Sequence, residues 1–176
     1  SRRLAVLLNR ADVLGLPEDQ VVSRGALALE SVAGRAPVAP LPMHGFNLLE
    51  VSPEGARVLS WDGLTLRTQP VPTGVHMIAH TDLDDPGTAR IERWLPEFRA
   101  HPTHAETWPA SWISLLADTT ALDPEDDRAI LRDNRPHGYP TQSLLYCTAT
   151  VAADGIEVTE HTLPAPGHWS AWAGPA

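Results

Sequence analysis

Hairpins and helices kept apart along one chain predict a layered α+β fold, with sheets covered by helices on one side. Two Asp-Gly turns, Asp62-Gly63 and Asp154-Gly155, each join short strand-like runs, a strong hairpin signal. Runs of helical period fall between the hairpins instead of alternating with single strands. The 176 residues show no internal repeat and no linker, so the organisation expected is one domain over 1–176.

The elements follow in order. Arg3 to Asn9 reads as a buried strand, and Arg10 to Gln20 as a loop holding Gly15, Pro17 and three acids. Ser23 opens a helical run, Arg24 to Ala33, with Ala26, Leu27, Leu29 and Val32 apolar, and Gly34 stops it. Ala36 to Gly45 is a proline-punctuated loop. Phe46 to Val51 is a strand, Pro53-Glu-Gly55 a turn, Arg57 to Trp61 its partner, and Leu64 to Gln69 the next strand. Val75 to His80 is read as a further strand, making a meander of four.

Asp85 before Pro86 reads as an N-cap followed by proline at the first helical position, with Ile91, Trp94 and Leu95 on one face of a helix reaching Ala100. His101 to Pro109 is a loop and Ser111 to Ala117 a short apolar helix. Asp123 to Leu131 reads as one more helical turn, and Asn134 to Pro140 as a loop. Gln142 to Val151 and Ile156 to Leu163 form the late hairpin. The Pro/Gly/Trp-rich tail, 164–176, is expected to dock by Trp169 and Trp172 or to fray.

Composition excludes some classes. A net charge of −9, with only 13 scattered lysines and arginines, disfavours nucleic acid and anionic membrane as partners. No apolar run approaches the roughly 20 residues of a membrane span. The single Cys147 fits a reducing compartment, and a cytoplasmic location is expected. Set in the apolar run Leu144 to Ala149, Cys147 is read as a buried structural thiol with a raised pKa. Ser1 is read as an arbitrary chain start, not a nucleophile.

The richest stretch is Gly74 to Arg90. On a strand His76 and His80 would share a face about 13 Å apart, too far to chelate one metal. The acids Asp82, Asp84 and Asp85 are read as turn and capping groups, because they lack the alternation of a calcium loop. His101 and His104 are read as solvated, and no metal is assigned. Asp123 to Asp127 reads as a solvated helix start favoured by the dipole. Trp61, Trp94, Trp108 and Trp112 are read as core anchors, with a pocket for a flat apolar ligand as the alternative.

The order of Leu4-Ala-Val-Leu-Leu-Asn-Arg10, Ser23-Arg-Gly25, Phe46-Asn-Leu-Leu49 and Gly74-Val-His76, running to Leu83-Asp-Asp-Pro86, resembles the NRDE-motif family. That family is also called the transport and Golgi organisation protein 2 family, and the similarity runs from Leu4 to about Leu163. The resemblance implies an Ntn-hydrolase-like αββα sandwich of two antiparallel sheets covered by helices. The family's N-terminal cysteine and its Asn-Arg-Asp-Glu motif are absent; Asn9-Arg-Ala-Asp12 only echoes the latter. The chain, which lacks an initiator methionine and opens almost directly into a strand, is therefore read as the family domain without its opening strands.

By the same resemblance Asn9 would donate to an oxyanion, and His80 stands where the related pattern carries asparagine. Gly138-Tyr-Pro-Thr-Gln142 departs from a Gly-Thr-Arg turn, so an arginine contact is missing. The function implied is binding or trafficking of a small hydrophobic metabolite of the haem or lipid/acyl-CoA class, with no cofactor. The alternative implied is an Ntn-type hydrolase of C–N (amide) bonds whose cysteine nucleophile is not in this chain.

Overall fold

The structure is a computed structural model that describes residues 2–101, 108–138 and 141–170. It is a mixed α+β chain with two antiparallel sheets and a few helices. Two compact units divide it. Unit 1 holds the chain up to Asp85 together with Thr150–Glu157, and unit 2 holds Pro86–Ala149 and the chain from Val158 on.

Unit 1 is a four-stranded meander, β1 (Leu4–Asn9), β2 (Phe46–Ser52), β3 (Gly55–Trp61) and β4 (Leu66–Val71), in the order β1-β2-β3-β4. Every pair is antiparallel, with Leu7 opposite Leu48, Leu48 opposite Leu59, and Phe46 opposite Trp61. Period-two alternation puts Ala5, Leu7, Phe46, Leu48, Leu59 and Trp61 in one apolar cluster with Leu27 of α1 (Ala26–Val32). Ser31, one turn on from Leu27, donates to Glu50 Oε1 at 2.6 Å and ties the helix to the sheet. Leu27 and Ser31 therefore mark the inner face of α1, while Leu29, also apolar, is exposed. Gly34, at φ 82°, ends the helix as expected. Pro70 is tolerated in β4 because that strand is a sheet edge.

The fourth strand expected at Val75 to His80 does not form; β1 completes the meander instead. The acidic turn that follows explains this. Asp84 N–H donates to the Met77 carbonyl at 2.9 Å, and the Asp84 carboxylate accepts the Met77 N–H at 2.8 Å. Backbone groups a strand would need are thus taken locally.

Unit 2 carries α2 (Ala89–Ala100), α3 (Trp108–Asp118) and most of the hairpin β5 (Leu145–Val151) and β6 (Ile156–Thr162). Ile91, Trp94 and Leu95 form the buried stripe of α2, as their spacing predicts, and Phe98 extends it. The cap is Thr88, not Asp85, and Pro86 lies in a turn before the helix. Asp85 is instead drawn into the preceding turn, its N–H donating to the Asp82 carbonyl. His101 Nδ1 lies 2.8 Å from the Glu97 carbonyl, so it meets the end of α2 and is not simply solvated. His104 lies outside the described residues, as do Ser1, Pro140 and Trp172.

Asp123 to Leu131 forms successive turns, not a helix. Asp123 Oδ1 accepts the Glu125 N–H, and Asp126 Oδ1 the Arg128 N–H, bonds that favour turns over helix. A second apolar cluster joins Leu131, Tyr146 and Leu163 to Ile113, Leu116 and Trp169. Tyr146 lies between His161 and Trp169, at ring distances of 4.7 and 4.8 Å. Trp169 thus docks the start of the tail. Cys147 is exposed, contrary to its apolar sequence setting, because alternation turns Tyr146 inward. Its thiol pKa is still raised, by local desolvation and by the charge of Glu160. Among the described residues no helix is long and apolar enough to cross a membrane.

Candidate functional site

The densest polar constellation of unit 1 is built by the sheet register. Asn47 of β2 faces Leu8 on one side and Ser60 of β3 on the other, and Ser60 faces Arg67 of β4. This row lies on the face opposite α1. Asn47 is fully buried, yet all its polar atoms are bonded: Oδ1 accepts from Ser60 Oγ at 2.7 Å and Arg10 at 3.2 Å, and Nδ2 donates to the Thr81 carbonyl at 2.6 Å. A buried amide left unpaired would cost about 1–3 kcal/mol, so the network determines whether this strand can carry Asn.

Arg10, just past β1, is the hub. Its side chain is 8% exposed and donates to Asp12 at 2.7 Å and to Asp82 at 2.6 Å. Burial alone would lower its pKa, but the bonds to both carboxylates overcome that and raise it. Arg67 also reaches Asp82, at 3.2 Å. Asp62 is held below the ordinary carboxylate range, chiefly because it accepts the N–H groups of Thr65 and Leu64 in the β3–β4 turn.

Gly45 makes the hub possible. Its carbonyl accepts from Arg10 N at 3.1 Å and Arg24 at 2.6 Å, and its N–H donates to Asp12 O at 2.8 Å. A Cβ there would lie 2.8 Å from Asp12 Cβ and 3.0 Å from Arg10 Cβ.

Beside this hub the acidic turn forms a His–Asp pair. Asp84 Oδ2 lies 2.6 Å from His76 Nδ1, which assigns the ring proton to Nδ1. Nε2 is sealed from solvent and without a hydrogen-bond partner. Asp84 adopts φ 56°, in the left-handed region that Asp tolerates better than most residues.

The residues singled out in the sequence fall around this framework. Asn9 ends β1 and is exposed; His80 is exposed in the loop before Asp82. Their segments run side by side, since Ala11 N–H donates to the His80 carbonyl at 2.9 Å. Asp84 serves turn formation, as read from the sequence, whereas Asp82 is an ion-pair partner of Arg10 and not a capping group. His76 and His80 share no strand face; His76 turns to Asp84. Trp61 and Trp94 are core anchors, each N–H donating to a carbonyl, Met43 and Arg128 respectively. Trp112 meets both Phe98 and Trp108 edge-on, at 5.1 and 5.4 Å.

Arg10, Asn47 and Gly45 escaped the sequence reading. Asn47 within the apolar run Phe46 to Val51 was the available signal, since a polar residue there must find partners. Among the described residues, no group of three or more His, Cys, Asp or Glu side chains is arranged to hold a metal ion. No protein-family model, curated protein or solved structure matches the chain.

Proposed function

We propose that this chain is an NRDE-family domain of Ntn-hydrolase-like architecture that binds a small hydrophobic metabolite of the haem or acyl-CoA class. The resemblance of its ordered segments supplies the family. The observation that supports binding is an aliphatic surface left open next to the polar hub. Val13 is 76% exposed and Leu64 is 88% exposed. The loop carrying Val13 meets the β3–β4 turn carrying Leu64, because Leu14 Cδ1 lies 3.8 Å from the Cβ position of Gly63. Exposed aliphatic side chains on two loops that meet beside a polar border suit an apolar partner.

Haemin or a long-chain acyl-CoA, titrated against tryptophan fluorescence, is expected to give saturable quenching at micromolar ligand. Covering Leu64 contributes about 1.5–3 kcal/mol, so Leu64→Asp is expected to weaken binding about tenfold or more. Absence of saturable quenching overturns the reading.

The adjoining exposed positions of Asn9 and His80 favour a second reading, amide hydrolysis, with Asn9 as oxyanion donor and His80 orienting. The N-terminal cysteine this requires is not among these residues, so the chain itself is expected to hydrolyse no acyl-amide. Hydrolysis by a longer reading frame, lost when its terminal cysteine becomes alanine, would replace the pure binding reading.

A further inference from the structure

The sheet of unit 1 has two edges, β1 and β4, and the register decides what each presents. In an antiparallel pair a residue points its N–H and C=O to one side, and the next residue points them to the other. Arg10, which continues the register beyond Asn9 and Phe46, donates its N–H to the Gly45 carbonyl at 3.1 Å. Leu4, Val6 and Leu8 therefore bond to β2, and Ala5, Leu7 and Asn9 aim their backbone groups outward. Ala11 keeps the phase, since its N–H goes to the His80 carbonyl and not to the sheet. Among the described residues nothing meets the outward groups of Ala5, Leu7 and Asn9.

The other edge is blunted. Asp62 N–H bonds to the Thr65 carbonyl in the β3–β4 register, so Pro70 falls at an outward position of β4 and leaves a gap in its donors. From Leu4 to Asn9, by contrast, there is no proline and no ionisable side chain, and Val6 is 37% exposed. Such an edge is a template for another strand.

The strand that fits is β1 of a second copy, running antiparallel about a two-fold axis at Leu7. Leu7 then faces Leu7, and Ala5 faces Asn9 on either side. Each pair exchanges two bonds, about six in all, and every outward group is used. Val6 is covered by Leu8 of the second copy, an apolar cross-strand pair. No like charges meet within the strands. At each end Arg3 of one copy comes beside the Ala11-Asp12 segment of the other, so cation meets anion although each chain carries −9.

We infer that β1 is a dimerisation edge, through which two copies of this chain join their sheets into one. The inference concerns assembly and stands whether or not unit 1 binds a metabolite.

Sedimentation equilibrium of the full chain at 0.15 M salt, where charge repulsion is screened, is expected to show a monomer–dimer transition with a midpoint on the order of 100 µM. Amide exchange, read residue by residue, supplies the direct signature. Ala5, Leu7 and Asn9 are expected to slow as the concentration rises, while Leu4, Val6 and Leu8 are protected throughout. Val6→Lys, which places a charge against Leu8 of the second copy, is expected to weaken the dimer about tenfold or more. Asn9→Pro removes an outward donor, as Pro70 does in β4, and is expected to act likewise; Val6→Lys alone carries the test if that variant does not fold. A chain that stays monomeric to about 1 mM overturns the inference. So does a dimer in which Ala5, Leu7 and Asn9 exchange as fast as in the monomer, because its interface lies elsewhere. Protection of these three amides in the monomer also overturns it, because a segment of the same chain then covers the edge.

Discussion

At the residue scale the structure turns on side chains whose positions are dictated by close approach and not by hydrophobicity. Gly45 is the clearest. Its φ is ordinary for any residue, but it is pressed between Arg10 and Asp12 so tightly that a methyl group would overlap both. Gly45→Ala must push the 10–12 segment away, loosening the Arg10 bonds to Asp12 and Asp82. Chemical denaturation is expected to show a loss of about 1–3 kcal/mol, the cost of overpacking. A change below about 0.5 kcal/mol would mean the hub tolerates displacement and does not organise unit 1. Nothing in the sequence marks Gly45 apart from other loop glycines, because its constraint comes from chain segments up to 35 residues away. The stripe Ile91, Trp94, Leu95, by contrast, was legible at once, since helical spacing alone places it.

At the element scale, local carboxylates decide two segments against their expected form. Val75 to His80 has the composition of a strand, yet Asp84 takes the Met77 N–H and folds the chain into a turn. Asp123 to Leu131 has the composition of a helix start, yet Asp123 and Asp126 accept neighbouring N–H groups and make turns. Both misreadings have one source: period and propensity register the apolar residues, while side-chain bonds to the backbone depend on three-dimensional closure.

The turns of unit 2 also carry a pH signature. A hydrogen bond from Arg128 holds Asp126 down to about 2, and one from Arg135 does the same for Asp133. Both folded pKa values lie below the ordinary 3.8, so folding favours the charged forms. Their contribution is complete above about 3.8 and is lost as the pH falls through about 2. The Asp126→Asn/Asp133→Asn variant is expected to melt below the parent at neutral pH, by a small margin because these pairs are exposed and screened. That difference should shrink between about pH 4 and pH 2, followed by circular dichroism. A difference constant over that range would show that the pairs do not couple to folding.

At the scale of the whole molecule, the α+β class and the late hairpin were legible because Asp-Gly turns and helical spacing are local signals. The division into two units was not, since the chain crosses between them at Asp85 and again within the β5–β6 hairpin, with no linker composition at either place. Asn9 and His80, chosen by resemblance, lie exposed on adjoining segments, while the buried hub behind them depends on strand register that no single segment reveals. The aliphatic surface of Val13 and Leu64 lies in the same unit as that hub.

The central claim is that the surface formed by the 13–16 loop and the β3–β4 turn receives an apolar metabolite. The most direct measurement is a ¹H–¹⁵N amide map of the chain with haemin or a long-chain acyl-CoA added in steps. The account predicts saturable shifts concentrated at Val13 to Leu16 and Asp62 to Thr65. Shifts absent from both segments at saturating ligand would contradict it.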